Sequence, residues 1–123
     1  MIEVHEEVIH EIAEQFKMIL ESSDQAIYIY LDDVHKVSNA KYANLLGYSS
    51  PEEWQRVKNP VETTVAPQSQ ATLVAHYNQA MDKMSASTFK VTWKKKNGGT
   101  VDTTVILVPI AFHDHLLALH FIS

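Results

Sequence analysis

The sequence predicts an α+β domain: a five-stranded antiparallel sheet with short helices and one longer helix on one face, preceded by an amphipathic N-terminal helix. Three observations carry this expectation. Apolar residues recur at helical spacing from Ile2 to Leu20 and again after Pro67. From Phe89 the period changes to two, as in a half-buried strand. Turn residues, Asp32-Asp33 and Asn97-Gly98-Gly99, separate apolar runs that are rich in β-branched and aromatic side chains. At 123 residues the chain suits one domain around a single core.

The first element is read from Ile2, Ile9, Ile12, Phe16 and Ile19, with Val8, Ala13 and Leu20 alongside. Neither Gly nor Pro interrupts this stripe before Ser22, so it predicts an amphipathic helix of about five turns over residues 1–22. Its spacing also fits a heptad seam in which His5 takes the vacant core position. Such a stripe must cover either the sheet of its own domain or the same helix of a second protomer. In the second case Ile2, His5, Ile9, Ile12, Phe16 and Ile19 form the interface of a homodimer.

Ala26 to Leu31 reads as a strand, with Asp32-Asp33 turning into a shorter one around His35 to Val37. Asn39 is a candidate N-cap for a short helix through Ala40, Ala43, Leu45 and Leu46 that stops at Gly47. Ser50-Pro51-Glu52-Glu53 repeats the start signal: a cap, a proline at the first helical position and two acids at the positive helix end. Residues 55–66 read as irregular, with Pro60 as a breaker. Pro67 opens the longer helix, whose apolar stripe is Leu73, Val74, Tyr77, Ala80, Met81 and Met84. Phe89, Val91 and Trp93 then alternate with Lys90, Thr92 and Lys94; Asn97-Gly98-Gly99 makes a hairpin turn; and Thr100–Ile110 and Leu116–Ile122 supply the last two strands.

This order closely resembles the PAS sensor domains. In that family an Asn-x-Ala-x-x-x-Leu-x-Gly-Tyr stretch follows the second strand, as in a stretch running from Val37 and Asn39 to Gly47-Tyr48 here. The turn Lys95-Lys96-Asn97-Gly98 is similar to the Lys-x-Asp-Gly-type turn between the family's third and fourth strands. The resemblance covers residues of about 14–123, with 23–123 as the sensor domain. It implies a concave sheet closed by the short helices, and a ligand pocket lined by Tyr28 or Ile29, Tyr42, Leu46, Trp54, Leu73, Tyr77, Phe89, Val91, Val105 and Leu107. Equally, the same side chains would fill a packed core with no cavity.

The resemblance also frames the cofactors. There is no cysteine, hence no disulfide, no thiolate metal site and none of the thiol on which light-sensing flavin members form an adduct. Haem-binding members usually place a histidine about seven residues after the helix-opening proline and a tyrosine about three further on; here Pro67 is followed by Val74 and Tyr77. His76 then lies on the opposite side of the helix, toward solvent. No haem, flavin or other cofactor is expected; a small organic ligand stays open as the alternative to a packed core.

Charge narrows the partners. Residues 1–24 hold seven acids against Lys17, whereas the remainder is balanced, which argues against a nucleic-acid-binding first segment. Lys94-Lys95-Lys96 reads as a solubility patch. No apolar run approaches the roughly 20 residues of a membrane span, and no signal-like segment opens the chain; a cytoplasmic module is expected. His113 and His115 share a strand face and resemble a metal pair beside Asp114 and near His120, but they fall where a hairpin turn is expected, so no metal site is assigned. His5, among acids, is a candidate for coupling dimerisation to pH near about 6.

The functional expectation is a non-enzymatic sensory or signal-transduction module. It would bind a small ligand or a partner protein and signal through dimer and sheet packing to a histidine kinase, cyclase or regulator, as in two-component regulation. The chain stops at Phe121-Ile122-Ser123, where larger PAS proteins continue through an Asp-x-Thr linker into their output unit, so a fragment or a stand-alone module is expected. Two alternatives stay open: a purely structural interaction domain, and a small α+β cone enzyme of the ketosteroid-isomerase or dehydratase type. The enzyme would need an Asp or His held in the apolar pocket. Asp102, the one carboxylate within the late strands, alternates toward water, and no catalytic residue is assigned.

Overall fold

The computed structural model describes residues 4–123. Helix α1 (Val4–Gln15) runs into α2 (Lys17–Ser22), and strands β1 (Ala26–Tyr30) and β2 (Lys36–Ser38) follow. Three short helices, α3 (Ala40–Leu45), α4 (Pro51–Gln55) and α5 (Pro60–Thr64), lead to the longer α6 (Pro67–Lys83). Strands β3 (Ser87–Lys94), β4 (Thr100–Phe112) and β5 (His115–Ile122) close the chain. Among the described residues no helix is long and apolar enough to cross a membrane.

The sheet is antiparallel throughout, in the order β2-β1-β5-β4-β3. β5 is thus the central strand, and its register sets His120 opposite both Tyr28 and Leu107. Because side chains alternate along a strand, each strand contributes to two cores. The face toward α3–α6 buries Tyr28, Val91, Trp93, Val105, Leu107 and Ile122 with Tyr42, Leu46, Trp54 and Leu73. The opposite face buries Ile27, Ile29, Leu117 and Leu119 under Val8, Ile9 and Ile12 of α1. The domain therefore has two cores, not the single one expected from its length.

Local chemistry explains the connections. Asn39 caps α3, its Oδ1 accepting from Tyr42 N–H at 3.0 Å and from Ile27 N–H at 3.1 Å, while its amide donates to the Gln25 carbonyl at 2.8 Å. One buried side chain thus fixes both the helix start and its placement against β1. Gly47 follows α3 at φ +85°, a conformation that glycine adopts without Cβ strain. Ser50 caps α4 through Glu53 N–H. The helical segment is tied to β3 by Ala66 N–H on the Thr92 carbonyl and Lys96 N–H on the Leu46 carbonyl.

Several boundaries correct the sequence reading. The N-terminal helix is not one uniform element: Phe16, at φ −97° and ψ 6°, separates α1 from α2, although helical hydrogen bonds continue across it. Residues 60–64 are helical, because Pro60 begins a turn of helix instead of breaking one. β4 extends to Phe112, and the hairpin to β5 turns on His113 and Asp114, both at positive φ.

Candidate functional site

Between the sheet and the helices lies a cavity of about 230 Å³. β1 contributes Tyr28 and Tyr30, α3 Tyr42, α4 Trp54, α5 Pro60, Val61 and Thr64, α6 Leu73, Val74, Tyr77 and Asn78, β3 Trp93 and β5 His120, with Val65 between α5 and α6. The wall is largely aromatic. Tyr28 stacks on His120 at 3.8 Å and meets Tyr42 at 4.6 Å and Trp54 at 5.3 Å, while Tyr30 and Tyr77 meet edge to face at 5.4 Å. Such edge and stacked contacts hold large rings in defined orientations.

Several polar atoms on this wall are already engaged. Tyr42 hydrogen-bonds Thr64, whose hydroxyl donates to the Pro60 carbonyl. Trp93 Nε1 donates to Thr103 Oγ1 at 2.7 Å. Tyr30 donates to Asp33 at 2.5 Å, and burial and then this bond push its phenol pKa up. Burial likewise raises Tyr28 and Tyr42, so these phenols are neutral. One donor differs: the indole N–H of Trp54, 1% exposed, has no hydrogen-bond partner among the described residues. A buried N–H in that state costs about 1–3 kcal/mol.

His120 is the titratable group at the back of the cavity. Its Nδ1–H donates a hydrogen bond to the Ala118 carbonyl at 3.1 Å. Burial pulls the ring pKa down to about 3, against the favourable carbonyls of Ala118 and Tyr28. The imidazole is therefore neutral across the physiological range, and among the described residues no formally charged side chain lines the cavity.

The predicted pocket residues divide in two. Tyr28, Tyr42, Trp54, Leu73 and Tyr77 line the cavity. Leu46, Phe89, Val91, Val105 and Leu107 belong to the same face but are core beneath it, and Ile29 lies on the opposite face. Sequence reasoning missed His120, Tyr30, Trp93 and the α5 side chains Pro60, Val61 and Thr64. His120 was legible from the alternation Ala118, His120, Ile122, whereas α5 was hidden by reading Pro60 as a breaker.

The comparisons agree on the architecture. No family model matches the chain, and no curated protein matches it. Among solved structures, a PAS domain from Colwellia psychrerythraea superposes with a TM-score of 0.71 at 20% identity, over 91% of this chain and 95% of that one. A PAS domain from a two-component sensor histidine kinase does so at 0.67 and 14%, over 93% and 97%. The chain has the PAS fold. A Vibrio cholerae VqmA structure, described as a LuxR-type receptor, matches at 0.68 and 12% over 89% of this chain and 49% of its own.

Within this PAS fold the remaining expectations can be placed. Val74, at the offset expected of a haem ligand, lines the cavity. His76 does not reach solvent freely as expected: it stacks on Phe89 at 4.0 Å and meets Ser87 Oγ at 2.9 Å. Asp102 is exposed and accepts from Thr92 Oγ1 at 2.7 Å. Lys94 and Lys96 of the lysine run donate to the Glu62 carbonyl and to Glu53.

The dimer stripe is redistributed. Ile9 and Ile12 are buried on the chain's own sheet and Phe16 packs against the same cluster, because Ile27, Ile29, Leu117 and Leu119 need cover. His5 bonds Asp32, Ile19 is 51% exposed, and Ile2 lies outside the described residues. Of the two coverings the sequence left open, the chain's own sheet takes the middle of the stripe. With the helix docked, Ile9 and Ile12 are closed to a second copy.

Proposed function

We propose that this chain is a cytoplasmic sensory module that binds a small, neutral, flat organic molecule in the aromatic cavity and passes the bound state to a partner. The unpartnered Trp54 N–H on the wall of that cavity carries the reading, since a ligand acceptor there would satisfy a donor the protein leaves open. An engineered cavity of about 150 Å³ holds benzene. By that scale about 230 Å³ suits on the order of ten non-hydrogen atoms. The neutral wall argues for a neutral guest, because burying an unpaired charge is strongly unfavourable.

Signalling would be a population shift, in which the guest favours one packing of α3–α6 on the sheet. β5 carries His120 on the cavity face and Leu117 and Leu119 under α1 on the other, so a change at the cavity reaches the N-terminal helix through one strand. Undocking α1 would free Ile9 and Ile12 for a second copy or an output protein such as a kinase or cyclase. Catalysis is disfavoured: a base must titrate near the working pH to be effective, and His120 is held far below it.

Native mass spectrometry of protein purified from its own cells tests this. The expected result is an added mass on the order of 100–200 Da, with occupancy lowered about tenfold in Trp54→Phe, which loses the N–H but keeps the ring. Protein with no added mass, and no rise in Tm with any of a panel of one- and two-ring compounds, would overturn it.

A further inference from the structure

We infer that His5, Asp32 and His35 form a binding site for a divalent transition ion of the zinc class, at the rim where the N-terminal helix meets the sheet. None of the three side chains lines the cavity, and the site does not rest on any ligand there. The His5 Nδ1 lies 2.6 Å from Asp32 Oδ2, and the His35 Nδ1 lies 2.8 and 2.9 Å from the two Asp32 oxygens. One donor atom from each residue falls within 4.8 Å of the others. His115, at the start of β5, brings a third imidazole, with its ring centroid 5.2 Å from that of His5.

The donors come from separate parts of the chain, α1 and the β1–β2 turn. Folding alone assembles them. The carboxylate is fixed in advance, since Asp32 Oδ1 also accepts from the backbone N–H groups of Val34 at 2.9 Å and His35 at 2.7 Å. Such outer support orients a ligand and strengthens a site. Oδ2 is left facing both imidazoles. An ion at about 2.0–2.1 Å from each donor needs neighbouring ligands roughly 3.3 Å apart in tetrahedral geometry. The three groups reach that by opening slightly as the shared protons leave. Two imidazoles and one carboxylate select zinc-class ions over magnesium or calcium, which prefer all-oxygen shells, and the fourth position is left to water.

Bound metal would clamp the first turn of α1 to the sheet rim and so oppose undocking of the helix. Untagged protein, stripped with EDTA, is titrated with Zn²⁺ against a chromophoric chelator and separately with Co²⁺. The expected result is one equivalent bound, tetrahedral Co²⁺ absorption, and a Tm higher by roughly 5–10 °C at saturating zinc. His35→Ala and His5→Gln should each weaken binding by about tenfold or more, and His113→Ala, whose imidazole pairs with Glu11 beside the site, should leave it unchanged. The inference is overturned if the wild-type protein binds no stoichiometric zinc, if both His5→Gln and His35→Ala bind as the wild type does, or if His113→Ala abolishes binding.

Discussion

His120 shows how one side chain can serve packing and recognition together. It sits on the central strand, 2% exposed, stacked on Tyr28 and donating to its own strand through Nδ1. Its pKa is about 3 in the fold and 6.5 when free. Between those values the unfolded chain binds the extra proton, so stability rises with pH, by up to about 1.4 kcal/mol per pH unit. Stated in the acid direction, stability is lost as pH falls from about 6.5 toward 3. Urea denaturation at several pH values should show this slope, and His120→Gln should flatten it between pH 6 and 4 even though the variant starts less stable; a wild-type slope that survives the substitution would assign it elsewhere. Asp32 works in the same sense but over a more acidic range. Burial opposes its ionisation, but hydrogen bonds from His5, His35 and Val34 outweigh it and lower its pKa, so its contribution is lost only at lower pH.

At the scale of elements, α1 is the part whose role the structure changes most. Its residues Val8, Ile9 and Ile12 roof the back of the sheet, with Ile12 fully buried. Ile12→Ala should lower unfolding stability by about 2–5 kcal/mol in urea denaturation, because it removes a buried side chain from a filled site. A pure dimer-seam residue would instead give a loss that vanishes on dilution, so the concentration dependence of the midpoint separates the two roles. Outside that roof, Val4, Met18 and Ile19 remain exposed at 53%, 80% and 51%. α5 is the complementary case: a single turn begun by Pro60 and closed by Thr64, which together form part of the cavity wall.

The whole molecule is a sheet between two unlike layers, the consecutive helices α1 and α2 on one side and α3–α6 on the other. The space on the helical side is walled mainly by aromatic rings, whereas the hollows along α1 and α2 are lined by charged residues such as Glu6, Glu7, Lys17 and Glu21. A cavity of about 230 Å³ makes Val61→Phe informative. In a filled core the larger ring would cost about 1–3 kcal/mol through overpacking; here it should leave Tm unchanged or raise it, while reducing uptake of small aromatic compounds. A fall in Tm of more than about 5 °C in thermal denaturation would mean that the wall cannot receive the ring.

By itself the sequence determined the order and kind of nearly every element, since periodicity, caps and turn residues are local properties that precede any tertiary contact. Asn39, Ser50 and Gly47 act in the structure as their types foretell. It also named five of the cavity residues, because Tyr28, Tyr42, Trp54, Leu73 and Tyr77 lie on faces set by strand and helix periods. Tertiary structure alone decided which partner the N-terminal stripe covers, that the helical face leaves a cavity, and that His5, Asp32, His35 and His115 converge. Those outcomes depend on which distant segments meet, and an amphipathic stripe or a histidine carries no label for the surface it will face.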